Sequence, residues 1–399
     1  MNTVAPRVCI LLANSGGGHR SVALSLAEAF EGQAEVTLLN LLDEYAPFPF
    51  SRVSALYGPW TNHAPGIWRL AYRFGCSRRR VVLSERAVYP WVRSHVVGPL
   101  LENAGDIVIS VHPVQTGIAL RMLRDAGSRV PFVTMVTDPV APPLAWLCPD
   151  VDLCLVATEH ARTVAEGAGM PAERLRVVGL PVRRSFTAAG AIPKAAARCR
   201  LGLLPGLPLI LLAGGGAGIG RLLDLARVLM VELCASRIDA QLAILTGSND
   251  ALRRRFEAEA WPLPVYALGY LADPAPWFGA ADLLLTKAGP STLCEAASVG
   301  LPMILTGFIP GQEAPNVTWV EEAGAGIYAP EPSQAATIAA QWLRGGAPIL
   351  DARGAQARAL VEPGASAEVA RLTLALLGER TASNQPAASG IQESGARPF

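Results

Sequence analysis

The chain has 399 residues, 51% hydrophobic and 17% charged, so it can bury sizeable cores and is too long for one ordinary domain. A formal net charge of +1 leaves no global basic field to attract nucleic acid. The seven cysteines show no CxxC pair, which speaks against a disulfide framework or a zinc site and suits a reducing cytosol.

The apolar run Val8–Ala13 predicts a buried strand, Ser15-Gly-Gly-Gly18 a turn, and Ser21–Phe30 a helix. That run is too short for a signal h-region or a bilayer span, and no stretch reaches about eighteen uninterrupted apolar residues. The expectation is a soluble or peripheral protein. Residues 52–95 carry eight arginines against the single Glu85, interleaved with aromatics that include Trp60, Trp68, Tyr72 and Trp91. Such a mixture suits an interfacial segment on anionic lipid; it also suits single-stranded nucleic acid, or an aromatic core under a solvated basic face.

Ile107–Val111, Phe132–Val136 and Leu153–Ala157 read as further strands, and Val177–Val178 as a last short one before Gly179-Leu-Pro181. Pro193 to Pro208 reads as a helix-containing connection. The pattern then restarts with a strand at Leu209–Ala213, a glycine loop at Gly214–Gly220 and a helix at Leu222–Ala235. Strands follow at Leu242–Thr246, Val265–Leu268, Leu283–Thr286 and Met303–Thr306. The fold class is therefore α/β, with two doubly wound, Rossmann-like units facing a cleft at the carboxyl ends of their strands. The expected domains are 1–190 and 191–366, then a helix over 367–380 that would pack back on the first unit, and a disordered tail over 381–399.

Both glycine loops suit an anion, since backbone N–H groups and a helix N-terminus face the ligand; Gly17, Gly18, Gly215 and Gly216 are the candidate contacts. Ligand-free strand–helix turns are the other reading. Neither loop fits the dinucleotide fingerprint G-x-G-x-x-G, because Ser21, Ile219 or Arg221 stands where the last glycine belongs. No lysine stands in a P-loop context, as Lys194 and Lys287 are the two lysines of the chain.

The most informative segment is Lys287-Ala-Gly-Pro-Ser-Thr292 with Glu295, followed by Pro310-Gly-Gln-Glu313 and Asn316. Ser291 or Thr292 would begin a helix with Glu295 about one turn along. That spacing makes a capping box, and equally a diphosphate site with Glu295 accepting ribose hydroxyls. Gln312 and Glu313 at another strand end suit sugar hydroxyls. His19 closes the first glycine loop, where an imidazole of near-neutral pKa can act as a base toward a hydroxyl. Asp138, after the strand Phe132–Val136, would orient or charge-stabilise His19, or cap a helix or turn.

Together with Ser15–Arg20, Val136-Thr-Asp138, Gly179–Arg183, Gly269-Tyr270 and Gly300-Leu-Pro302, these residues resemble the monogalactosyldiacylglycerol synthase family. That family includes processive diacylglycerol glucosyltransferases and is related to the peptidoglycan glycosyltransferase that forms lipid II. The resemblance spans nearly the whole chain and implies the GT-B fold. It implies inverting transfer of galactose or glucose from a UDP-sugar to diacylglycerol, with His19 as base and no metal or other cofactor. It places the diphosphate at Ser291 and Thr292 in the turn of Gly289 and Pro290, the ribose at Glu295, and uracil beside Tyr270. Gln312 and Glu313 would take the hexose, and Lys287 would neutralise phosphate or brace the loop. Ser291 departs from the glycine that the family often carries there. The resemblance also implies a membrane-meeting insertion, with Trp60, Trp68, Arg69 and Arg73 as its candidates, and puts Trp146 near the acceptor entrance. The expected location is cytoplasmic, on the inner face of the cell membrane. Another lipid, a soluble acceptor, or epimerase or hydrolase chemistry on the same fold are the alternatives.

Overall fold

The computed structural model describes residues 5–13, 17–56, 61, 65–216, 218 and 220–383. In the first unit β1 (Arg7–Leu11), β2 (Glu35–Leu39), β3 (Ile107–Ser110), β4 (Phe132–Met135), β5 (Leu153–Val156) and β6 (Leu175–Val177) form one sheet. Their order is β2-β1-β3-β4-β5-β6, with every pair parallel. The second sheet contains β7 (Leu209–Ala213), β8 (Gln241–Leu245), β9 (Val265–Leu268), β10 (Leu283–Lys287), β11 (Met303–Gly307) and β12 (Gly326–Tyr328). It is also parallel, in the order β12-β11-β10-β7-β8-β9.

β3, β4, β5 and β7 are buried along their whole length, which is why they read as unbroken apolar runs. β2 and β12 escape that reading. β2 is an edge strand with most residues exposed, and β12 is three residues long.

Strand order reverses between β1 and β3 in the first sheet and between β7 and β10 in the second. Connections leave each point in opposite directions and open a crevice at the carboxyl ends. The helix α1 (Gly18–Phe30) begins beyond β1, and the helix Pro290–Val299 beyond β10, so both helix N-termini meet this crevice.

Two boundaries differ from the sequence expectation. Phe186 and Ala189, on the helix Arg184–Gly190, are buried in the core of the second unit, so the junction precedes 190 and falls around Gly179–Arg183. The final helix spans Ala365–Ser383, longer than 367–380 at both ends and reaching into the stretch expected to be a tail. Its Val369 and Ala370 are buried with Val8, Ile10, Val22 and Leu26, which ties the end of the chain to the first unit. Residues 384–399 lie outside the described residues.

Much of the basic aromatic stretch is helical, over Pro65–Gly75 and Arg78–Asn103. Among the described residues no helix is long and apolar enough to cross a membrane.

Candidate active site

Gly17 adopts φ +85, a left-handed conformation that turns the chain from β1 into α1. Ser21 N–H bonds Gly17 O at 3.0 Å, and among the described residues the N–H groups of Gly18, His19 and Arg20 have no backbone acceptor. Facing them, Gly289 caps the helix Pro290–Val299, with Pro290 in the first turn, where its missing N–H removes no bond. Leu293 N–H bonds Gly289 O at 3.0 Å, and among the described residues those of Ser291 and Thr292 likewise have no backbone acceptor.

The capping-box alternative does not form. The cap is Gly289, no side chain caps the helix, and Ser291 Oγ is buried without a hydrogen-bond partner. A Cβ on Gly18 would lie 2.9 Å from Ser291 Oγ, and one on Gly17 would lie 3.7 Å from Gly216 Cα. Glycine is what lets the two helix N-termini come together. Two positive dipole ends converge on one orphaned hydroxyl, which is the chemistry of an anion cradle. Thr292, Gly215 and Gly216 line the same cleft.

Lys287 and Glu313 complete the floor of that cradle, but not as free groups. Lys287 Nζ bonds Glu313 Oε1 at 2.5 Å, and Glu313 Oε2 accepts the Ile309 N–H at 2.8 Å. Glu313 is 2% exposed and lines the cleft with Gln312, each of its oxygens holding one bond that braces the loop. Asn316, a donor-site candidate in the sequence, is buried and donates to Ala288 O at 2.9 Å, behind the turn rather than in the cleft. Gln312 differs. Its Nε2 reaches Asp138 Oδ1 at 3.4 Å, and its buried Oε1 has no partner.

Glu295 faces the cleft and accepts from Ser21 Oγ at 2.7 Å, a bond between the two units. Burial pushes its carboxyl up to about 7, against the Ser21 hydrogen bond and the Arg183 charge that favour the ionised form. Arg183 donates to Ala272 O at 2.7 Å and lies 3.6 Å from Asp273 Oδ1, while its buried Nε has no partner. It thus anchors the loop that presents the exposed Tyr270 to the cleft. Neither Ser21 nor Arg183 has an assigned role in the sequence analysis. Ser21, one turn into α1, shares the helix face of Gly17 and Gly18, and Arg183 ends a motif already noted.

His19 is half-buried in the wall of the cleft, and desolvation there holds its imidazole down to about 4, offset in part by a hydrogen bond to the Val111 backbone. Its Nδ1 lies 3.1 Å from Thr137 Oγ1, and the His112 ring stands edge-on at 4.8 Å. His112 is also depressed well below the ordinary range by burial and by His19, so both rings are neutral. Asp138 does not take the expected place on His19. Its Oδ2 accepts from Trp146 Nε1 at 2.6 Å, and burial raises it to about 6 despite that bond and the one from Gln312. Trp146, expected near an entrance, is 0% exposed and forms a wall behind His19, with ring centroids 5.9 Å apart.

Of the membrane candidates, Trp60 lies outside the described residues. Arg69 and Arg73 are exposed and Trp68 is half-buried. Leu70 (70% exposed), Leu83 (67%) and Trp91 (54%) show large apolar surfaces among these arginines. Tyr89 instead belongs to the core, under the Arg121 guanidinium at 4.0 Å.

Two facing Rossmann-like units with an anion cradle at their shared crevice define a protein of the GT-B fold. Acinetobacter baumannii MurG superposes with a TM-score of 0.56 at 16% identity, covering 93% of this chain and 100% of its own. Residues 19–182 match the monogalactosyldiacylglycerol (MGDG) synthase family, and residues 209–349 the glycosyltransferase family 28 C-terminal domain. Monogalactosyldiacylglycerol synthase 1 of Arabidopsis thaliana is 33% identical over 367 residues, covering 90% of this chain and 68% of its own length. A probable monogalactosyldiacylglycerol synthase 2 of Oryza sativa subsp. japonica is 36% identical over 348 residues, covering 85% and 74%. The chain belongs to the monogalactosyldiacylglycerol synthase family.

Proposed function

We propose that the protein moves a hexose, galactose or glucose, from a UDP-sugar to 1,2-diacylglycerol at a membrane surface, with inversion at the anomeric carbon. The observation that carries this is the unpartnered Ser291 hydroxyl between two helix N-termini, against Gly18 and hence one residue from His19. The diphosphate sits there on the N–H groups of both helices, and Glu295 exchanges its Ser21 bond for the ribose hydroxyls. The free Oε1 of Gln312 accepts from a hexose hydroxyl. Galactose and diacylglycerol come to this chain from the names of its relatives.

His19 removes the proton of the acceptor hydroxyl as that oxygen bonds the anomeric carbon and the bond to the diphosphate breaks. A neutral imidazole is ready to accept. Its low basicity rises once a diphosphate charge lies beside it, since a nearby anion favours imidazolium. The negative charge leaving on UDP is met by the two helix ends, without a metal or further cofactor. Leu70, Phe74, Leu83 and Trp91, set among arginines, form the face that meets anionic lipid, on the cytoplasmic side of the cell membrane.

Incubation with UDP-galactose or UDP-glucose and diacylglycerol vesicles, followed by analysis of the lipids, tests the reading. A β-linked monohexosyl lipid is expected from an α-linked donor. No sugar on the lipid with either donor refutes the acceptor, and an α-linked product refutes the single displacement.

A further inference from the structure

We propose that Tyr72 is a positioning residue for the hexose end of the donor site, clamping the loop of Gln312 against the loop of Asp138. The inference rests on the donor reading above. Tyr72 lies on the helix Pro65–Gly75, where Arg69, Leu70, Arg73 and Phe74 are exposed while Tyr72 turns inward. Its hydroxyl donates to the Ala141 carbonyl at 3.2 Å, on the segment that follows Asp138.

The ring meanwhile lies against the second unit. Gly311 has φ +90, and a Cβ there would stand 3.0 Å from Tyr72 Cδ1, so both backbone conformation and ring contact call for glycine. The next residue is Gln312. Its bond to Asp138, at 3.4 Å, is too long to fix the side chain by itself, yet its unpartnered Oε1 has to be held in place to read a hydroxyl. Tyr72 supplies the missing constraint by touching both loops at once. Burial, with Asp138 adding to it, pushes its phenol above the ordinary range, so it remains a hydrogen-bond donor wherever the protein is folded. The same helix shows Leu70 and Phe74 outward, so one side chain links the lipid-facing helix to the sugar loop.

Calorimetric binding of UDP and of UDP-galactose and UDP-glucose, with kcat and KM on diacylglycerol vesicles, tests this in the full chain, Tyr72→Ala and Tyr72→Phe. In Tyr72→Ala, UDP affinity is expected to stay as in the wild type, because the phosphate and ribose contacts lie elsewhere. The increment from the hexose should disappear and kcat should fall about ten- to a hundredfold. Tyr72→Phe, which keeps the ring on Gly311 but loses the bond to Ala141, should restore only part of both. Parallel weakening of UDP and UDP-sugar, or a Tyr72→Ala enzyme with wild-type kcat and hexose increment, overturns the inference while leaving the donor reading intact. A wild-type chain that binds no UDP overturns the donor reading and this inference with it.

Discussion

Burial acts in opposite directions on His19 and Glu295, because it penalises the imidazolium of one and the carboxylate of the other. In the proposed donor site Glu295 has to be ionised to accept two ribose hydroxyls, and its carboxyl is pushed up to about 7. As pH falls below that value the donor KM should therefore rise, by about tenfold per unit at most. Glu295→Gln should show a weaker but pH-independent KM; an acid limb near 7 that persists in this variant contradicts the assignment. His19, held to about 4, stays neutral through this range and adds no limb of its own to kcat/KM. His19→Ala should lower kcat by about 10²–10⁴ while UDP affinity, measured by calorimetry, is kept. For the buried Lys287–Glu313 pair, Lys287→Met strands a carboxylate and should cost about 3–5 kcal/mol, read as a lowered Tm. Adding Glu313→Gln should return much of that. At this scale the chemistry of the segment 287–316 was legible, but not that Asn316 stands behind the turn or that Glu313 reaches the cleft already bonded to Lys287. Side chains on a tight turn point where tertiary packing sends them, and packing turned Glu313 toward Lys287 and Asn316 toward Ala288.

Among the elements, the two helix N-termini are held together by contacts that exclude a side chain. Gly18→Ala would press a methyl on Ser291 Oγ and either part the units or turn the hydroxyl out of the cradle. A cost of about 1–3 kcal/mol is expected, or roughly ten- to a hundredfold in the Kd for UDP, with secondary structure unchanged by circular dichroism. Wild-type UDP affinity in this variant would show that the cradle lies elsewhere. On the helix Pro65–Gly75, Leu70→Glu with Phe74→Glu should abolish cosedimentation with anionic vesicles and leave Tm unaltered, since both side chains are exposed. Buried strands were legible because both faces of each sheet are covered and the apolar run is unbroken. The edge strand β2 was not, having little to bury. Nor was the helix Arg78–Asn103, whose interleaved arginines and aromatics blur any single apolar stripe. The junction before Arg184 also escaped, because a short helix that continues the first unit in sequence is claimed by the core of the second.

The whole molecule is two sheets whose reversal points face each other, closed by a last helix that returns to the first unit. That architecture was readable from the repeated strand–glycine–helix pattern, since local sequence and global fold agree there. The chemistry proposed for the crevice draws on both units: Gly18 and His19 from one, Ser291 and Glu295 from the other. Donor breakdown should therefore depend on an acceptor being present. The most direct measurement is UDP release from UDP-galactose and UDP-glucose with and without diacylglycerol vesicles, with glycolipid quantified in parallel. The expected result is UDP formed in step with glycolipid, and little without vesicles. UDP release or sugar epimerisation at the same rate without diacylglycerol would contradict a transferase.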